Sequence, residues 1–314
     1  MKEMVNPHDK LFKEIESVKE NSRDLIESVF PQELLKNLNL ETLENDNNSY
    51  IDPELREYYS DLCYTCMYKG TVEIKLSILF EHKSYKPKNE YLQLLQYILN
   101  IWNYAVKKGK TPPVVIPMIY YHGKESWNKK PLSTYFPGID NNLKQFIPEF
   151  EYILTDLTKE TDSEIKEKFN TGINKVLALL LKHASDEEYI KEQLKNIFSL
   201  LTDYFGEEKR EPIISFLLYI MSTTEIDRNN INKSLREISP EGGKIAMTTA
   251  MKIRQEGRQV GRQEGRQEGR QEGRQEEKIE TARMMLANGA DIGFILKVTK
   301  LEKDTIIQIE KDLP

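Results

Sequence analysis

Asp61, Glu81 and Lys83 lie within one stretch, SDLCYTCMYKGTVEIKLSILFEHK, from Ser60 to Lys83. Two carboxylates offer hard oxygen ligands to a cation such as Mg2+, and a nearby ammonium can orient a water or offset charge developing on a phosphate oxygen. Such a set suits metal-assisted hydrolysis of a phosphodiester. The same residues equally suit a solvent-facing ladder of salt bridges, and their types alone do not separate the two readings.

What must position them is a β-hairpin. From Val72 onward the even positions Val72, Ile74, Leu76, Ile78 and Phe80 are apolar, while Glu73, Lys75, Ser77, Glu81 and Lys83 are polar. That is the period of a strand buried on one face, so Glu81 and Lys83 point the same way. Lys69-Gly70-Thr71 supplies a short connection to a preceding strand, Asp61 to Tyr68. A three-residue loop pairs Tyr68 with Val72 and sets Asp61 opposite Leu79, one diagonal step from Glu81. Diagonal neighbours lie roughly 7 to 8 Å apart, close enough to share one ion. A slip of one residue would turn Asp61 to the wrong face.

The flanking sequence predicts a mixed α/β core. A helix begins after Pro7, with Asp9 as its cap beside His8, and stops at Pro31; residues 37 to 54 read as a polar connection. After the hairpin, Pro87 to Tyr104 reads as a helix with a core stripe of Leu92, Leu95, Ile98 or Leu99, and Trp102, and with Gln93, Gln96 and Tyr97 on another face. Gln93, one helix away, is placed to add a hydrogen bond to the site. PVVIPMIYYHG, closed by His122, and FEYILTDL at 150 to 157 read as further strands. Helices are then expected at roughly 162 to 184, 186 to 205, 210 to 224 and 230 to 237, with His183 at a helix end.

Glycines recur every four residues from Gly257 to Gly273, in one GRQV and four GRQE units. Each costs a helix about 1 kcal/mol relative to alanine, and like charges stack at i, i+4. Two readings stand: a helix that packs through its glycines on a second copy, or a linker grown by repeat expansion. Beyond it, three short helical segments begin near 277, after Asp291 and near Lys303, a size that fits either a helix-turn-helix or a small self-associating bundle.

Composition narrows the class. The chain has 314 residues, 39% of them hydrophobic, enough for a substantial core and a second region. No apolar run approaches the roughly 20 residues of a membrane span, and MKEMVNPHDKLF lacks the apolar centre of a signal peptide, so cytoplasmic residence is expected. Cys63 and Cys66 point to opposite faces of a strand and have no second pair to complete a zinc site. The net charge of -6 speaks against a wholly basic nucleic-acid coat, yet His82 to Lys130 carries a local excess of +7. Lys86, Lys88, Lys107, Lys108, Lys110 and Lys124 belong to this stretch and are either phosphate contacts or solubilising surface. His82 reads as a buried histidine of the apolar face, and His122, which closes a strand just before Gly123, as either a structural residue or one bordering the cleft.

The combination PHDKLFKE, YSDLCYT and LFEHKS, followed by a helix with Leu-Gln-Tyr-Ile and Trp102 and then by IPMIYYHG and Trp127, resembles the Rpn recombination-promoting nucleases. These are also called YhgA-like putative transposases and belong to the PD-(D/E)XK superfamily. The glycine repeat and ARMMLANGADIGFILKVT resemble the same family. The resemblance implies a restriction-endonuclease-like core, Mg2+-dependent or Mn2+-dependent DNA cleavage, and a role in recombination or against foreign DNA. By position it makes Asp61 and Glu81 metal ligands, Lys83 the lysine of (D/E)-x-K, and Gln93 a polar residue of the following helix. Many relatives carry glutamine where this chain has Lys83. The organisation expected is a nuclease core at 1–160, a helical region at 161–245, a glycine-repeat helix or linker at 246–277 and a helical tail at 278–314. DNA and a second copy of the chain are the expected partners, a dimer being favoured. The rival reading is a non-enzymatic DNA-associated oligomeric assembly protein.

Overall fold

The computed structural model describes residues 6–46, 60–81, 89–206 and 209–312; for residues 60–61, 77–81, 256, 257, 260, 264 and 268 it describes the backbone alone. Two compact units result, Met1–Thr249 and Ala250–Pro314.

The first unit opens with α1 (Pro7–Glu16), α2 (Lys19–Val29) and α3 (Gln32–Leu35). Where one helix is expected up to Pro31, there are two. The chain breaks at Ser17 and Val18, and the Ile15 carbonyl accepts from Val18 N–H at 3.3 Å and from the Asn21 side chain at 2.8 Å. The cap of α1 is Asn6, whose side chain accepts from His8 N–H at 3.1 Å, rather than Asp9. Phe30 is extended before Pro31, as a residue preceding proline must be to avoid the ring.

Five strands follow: β1 (Leu38–Asn45), β2 (Ser60–Tyr68), β3 (Val72–Glu81), β4 (Val114–Tyr121) and β5 (Ile153–Asp156). They form one sheet in sequence order, antiparallel across β1, β2 and β3 and parallel across β3, β4 and β5. β1 corrects the polar connection expected at 37 to 54. Leu38 and Leu40 are buried in alternation, but the register shifts between Asn39 and Glu44, so Leu43 regains the core face out of step. Between β3 and β4 runs α4 (Glu90–Lys107), the crossover that a parallel pair requires. Its buried face is Tyr91, Leu94, Tyr97, Ile98, Ile101 and Ala105. Of the stripe expected to be core, Ile98 is buried and Leu95 half-buried, while Leu92, Leu99 and Trp102 are exposed. α5 (Asn141–Lys144) lies between β4 and β5.

α6 (Asp162–Lys168), α7 (Gly172–Lys182), α8 (Glu187–Phe198), α9 (Glu211–Thr223) and α10 (Arg228–Ile238) complete the unit with the first turns of α11 (Pro240–Ala287). These helices and α1 and α2 share one core with Leu62, Tyr64, Cys66, Ile74, Leu76, Met118 and Tyr120. No core boundary falls at residue 160. The other sheet face packs Ile119 and Tyr121 against Tyr91, Leu94 and Tyr97 of α4, together with Trp127, Leu132 and Tyr152.

Asp24 joins α2 to α7. One carboxylate oxygen accepts from Asn170 N–H at 2.9 Å, Asn170 Nδ2 at 3.0 Å and Ser28 Oγ at 3.3 Å. The other accepts from Thr171 N–H at 3.0 Å, Thr171 Oγ1 at 2.6 Å and Asn174 Nδ2 at 3.0 Å. Burial raises the Asp24 pKa, but the bonds from Thr171 and Asn170 outweigh it and leave the carboxyl below its ordinary range. Glu16, wholly buried nearby, does the opposite: burial first and the Asp24 charge second raise it well above that range. Among the described residues neither Glu16 carboxyl oxygen has a hydrogen-bond partner. Gly172 follows the Asp24 contact because a Cβ there would meet the Leu200 carbonyl oxygen at 2.0 Å. A second carboxylate, Asp162, ties α6 to the end of α7, accepting from Lys182 Nζ at 2.6 Å, from His183 Nε2 at 2.9 Å and from the Tyr189 hydroxyl.

In the second unit α11 carries the GRQE tract, so the tract is helical. Positions 261, 265, 269 and 273 have no atom within 4 Å of where a Cβ would stand, so nothing described packs on them. α12 (Ile292–Thr299), capped by Asp291 as expected, and α13 (Lys303–Lys311) close a small core of Ala282, Ile295, Leu301, Ile306 and Ile309.

Two carboxyls therefore give stability opposite pH dependences. Asp24 has a folded pKa below its unfolded value, so its contribution is complete above about pH 4 and is lost as the pH falls. Asp24→Ala should cost about 2 to 4 kcal/mol at pH 7 by chemical denaturation, and less at pH 3. Glu16 has a raised folded pKa, so stability declines as the pH rises above about 4.3 while the unfolded carboxyl ionises first. Glu16→Gln should raise the melting temperature at pH 7 and leave it nearly unchanged at pH 4; an equal shift at both would contradict a neutral buried acid.

Candidate active site

The β2–β3 turn sets the site. Lys69 and Gly70 both adopt positive φ, 49° and 72°, and Thr71 N–H donates to the Tyr68 carbonyl at 3.2 Å. Tyr68 pairs with Val72, and from there the register runs without interruption to Asp61 opposite Leu79. It is the register that a three-residue loop predicts.

Alternation then assigns the faces. Leu62, Tyr64 and Cys66 of β2 and Ile74 and Leu76 of β3 lie in the core shared with α1 and α7. Positions 61, 63, 65, 75, 79 and 81 therefore occupy the other face. Cross-strand pairing links Asp61 through Leu79 to Ile119, and in the next row Glu81 to Tyr121 and Asp156. Ile119 and Tyr121 are covered by α4, so the helix that bears Gln93 packs on the face that holds positions 61 and 81. Gln93 itself is half-buried in the first turn of α4. Positions 61 and 81 stand one diagonal step apart, roughly 7 to 8 Å between Cα atoms. Two carboxylates at that spacing fit one hard divalent cation. Lys83, Lys86, Lys88 and His82 lie outside the described residues.

The remaining lysines do not converge. Lys107, Lys108 and Lys110 are exposed at the end of α4 that leads into Val114, the partner of Ile74. Ile74 is seven residues from Glu81 along β3, roughly 23 Å. Lys124 is exposed just beyond the carboxyl end of β4, at the same edge as Glu81.

His122 is buried past that edge, its Nδ1 2.9 Å from the Leu181 carbonyl and its ring centroid 5.4 Å from that of His8. His8 Nδ1 lies 2.8 Å from the Tyr219 hydroxyl. This pair sits on the core side, opposite to the face of Glu81. Cys66 is in the core and Cys63 on the other face, both as thiols, as alternation predicts.

Two groups on the Asp61 face escape sequence reasoning. Asp46 follows β1, its N–H donating to the Cys63 carbonyl at 2.7 Å, and its carboxylate pairs with Lys75, which also donates to Thr65 Oγ1 at 2.9 Å. Both side chains of that pair are largely buried. The available signal was Lys75 itself, a lysine in mid-strand that needs an acid once a helix covers its face. Asp156 accepts from Trp127 N–H at 2.6 Å and from Thr158 N–H at 3.0 Å and Oγ1 at 2.7 Å, which fixes the chain after β4 and β5.

Because Lys69 holds positive φ with a Cβ, Lys69→Asn should stabilise the turn by about 0.5 to 1 kcal/mol, measured by calorimetric melting, with no change in the β2–β3 register.

No solved structure matches the chain. The inactive recombination-promoting nuclease-like protein RpnE of Escherichia coli K12 is 28% identical over 297 residues, which cover 94% of this chain and 95% of that protein. The recombination-promoting nuclease RpnA of the same strain is 25% identical over 307 residues, 97% of each chain. The recombination-promoting nuclease RpnD of Escherichia coli O157:H7 is 24% identical over 253 residues, 80% of this chain and 95% of that one. Residues 6–211, which span the sheet, α4 and the helices joined through Asp24, match the family model "Putative transposase, YhgA-like", and the chain belongs to that family.

Proposed function

We propose that the chain is a metal-dependent DNA endonuclease of PD-(D/E)XK type. The observation that carries this reading is the β2–β3 register, which sets Asp61 opposite Leu79 and puts Glu81 at the next position of the same face. Relatives along nearly the whole chain bear the name of recombination-promoting nucleases.

Asp61 and Glu81 would hold Mg2+ or Mn2+ through carboxylate oxygens. The bound cation would polarise the scissile phosphate and lower the pKa of a water. Lys83, two residues beyond Glu81, would orient that water and offset the charge developing on phosphate oxygens. Gln93 would add a hydrogen-bonding group from the helix that roofs the face. Lys124 and the unassigned Lys86 and Lys88 would hold the DNA backbone near the site, while Lys107, Lys108 and Lys110 would meet it only at the far end of α4. Cytoplasmic residence is part of this reading; among the described residues no helix is long and apolar enough to cross a membrane.

A second reading, a non-enzymatic DNA-associated assembly protein, is favoured by two relatives whose names mark them as inactive. Supercoiled plasmid separates the two. With Mg2+ the wild type should nick it, and Asp61→Ala or Lys83→Ala should lower the rate about 100-fold or more. Titration calorimetry with Mn2+ should lose its binding heat in Asp61→Ala, with melting temperature as the control for folding. Equal nicking by all three proteins, or none by the wild type with any divalent metal, would overturn the nuclease reading.

A further inference from the structure

The second unit ends in two short helices joined by a turn of defined shape. α12 has eight residues, α13 has nine, and Lys300, Leu301 and Glu302 stand between them. Lys300 holds the left-handed conformation, φ 56° and ψ 26°, and its N–H donates to the Leu296 carbonyl at 3.0 Å. Thr299 Oγ1 accepts from Leu301 N–H at 3.3 Å, and Leu301 falls back into the core. Ile295 and Thr299 on α12 and Ile306 and Ile309 on α13 are buried, three or four residues apart on each helix. The last turns of α11 add Ala282 to the same core. Two helices that share a small core across a three-residue turn have the form of a helix-turn-helix.

We infer that the second unit binds duplex DNA as a helix-turn-helix, with α13 entering the major groove. Two observations select DNA. The face of α13 turned away from Ile306 and Ile309 carries Asp304, Gln308 and Lys311, all exposed, with half-buried Ile307 beside them. Such side chains read base edges: glutamine pairs with adenine, lysine with guanine, and aspartate accepts from cytosine. Lys297, Lys300 and Lys303 recur at three-residue intervals through the turn, all exposed, and among the described residues none of them forms an ion pair. They are placed to meet phosphates on either side of the groove. Exposed Met284, Phe294 and Val298 lie on α11 and α12 and leave the outer face of α13 polar. Residues 278–314 carry six lysines and arginines and six acids, among them Glu302 and Glu310 beside the reading face. With no net charge, attraction to phosphates alone is weak, and recognition must come from base contacts. The inference does not require that the chain be a nuclease.

The test is binding in EDTA, where metal-dependent cleavage cannot consume the probe. A pool of DNA duplexes with a randomised centre, selected on the full chain, should yield an enriched sequence, whose affinity is then measured by fluorescence anisotropy. Gln308→Ala should lose preference at one base position by about 10-fold or more. Lys297→Ala and Lys303→Ala should each weaken binding to every sequence and lower the slope of log affinity against log salt by about 1. The three residues are exposed, so the melting temperature should not move. An enriched sequence bound equally well by the wild type, Gln308→Ala and Lys303→Ala places recognition outside α13 and overturns the inference. No enrichment by the wild type also overturns it. So does a change in sedimenting mass of Gln308→Ala with its base preference intact, which assigns α13 to self-association.

Discussion

The Asp24 carboxylate is the contact on which the first unit depends. It receives six hydrogen bonds, five of them from residues 170 to 174, and so fixes where α7 begins. α7 contributes Ile173, Val176, Leu177 and Leu180 to the core that backs the sheet. A charge can be buried at this cost only if every lone pair is used, and Asp24 meets that condition. Glu16 does not meet it, and burial raises its pKa well above the ordinary carboxylate range. The two acids lie close enough that the charge on Asp24 raises Glu16, and their environments push their pKa values in opposite directions. The hydroxyl of Tyr64 on β2 donates to the Glu16 carbonyl at 2.5 Å, which connects this polar centre to the strand that bears Asp61.

That connection matters because the site is a matter of register. Asp61 and Glu81 lie on different strands, and their nearness depends on β2 and β3 sliding by not even one residue. Three things oppose slippage. The turn at Lys69 and Gly70 admits one loop length, Tyr64 is tied to α1, and Lys75 bridges Thr65 and Asp46 across three strands. Burying the Lys75–Asp46 pair gains little stability by itself, since desolvation offsets the attraction. Its contribution is positional: a strand slipped by one residue would bury both charges alone.

The hairpin was legible in the sequence because strict alternation and a glycine turn are local signals, and local signals suffice for a register. β1 was not, because the irregularity between Asn39 and Glu44 breaks the alternation that would announce it. The break between α6 and α7 escaped for another reason. Its cause is a carboxylate 146 residues away in sequence, and no local propensity records such a contact. Lysine clustering misled in a third way, since seven residues of β3 separate the two ends of a parallel strand pair. Charges close in sequence, at either end of the α4 crossover, end up at opposite edges of the sheet. In the candidate site itself, the face and register of Asp61 and Glu81 were readable, whereas the Asp46–Lys75 pair beside them required the fold.

α4 was misread because it is amphipathic twice. Periodicity reports that an apolar stripe exists, and it does not say which partner covers it. With two stripes one residue apart, the stripe containing Trp102 looks the more core-like by size, yet Tyr91 and Tyr97 face the sheet instead. Near the carboxyl end of β4 their rings pack with Tyr121, Trp127, Leu132 and Tyr152. Leu92, Leu99 and Val106 have no polar end to satisfy and need only a dry surface. Periodicity finds both stripes, and only the fold shows that the one beginning at Tyr91 meets the sheet.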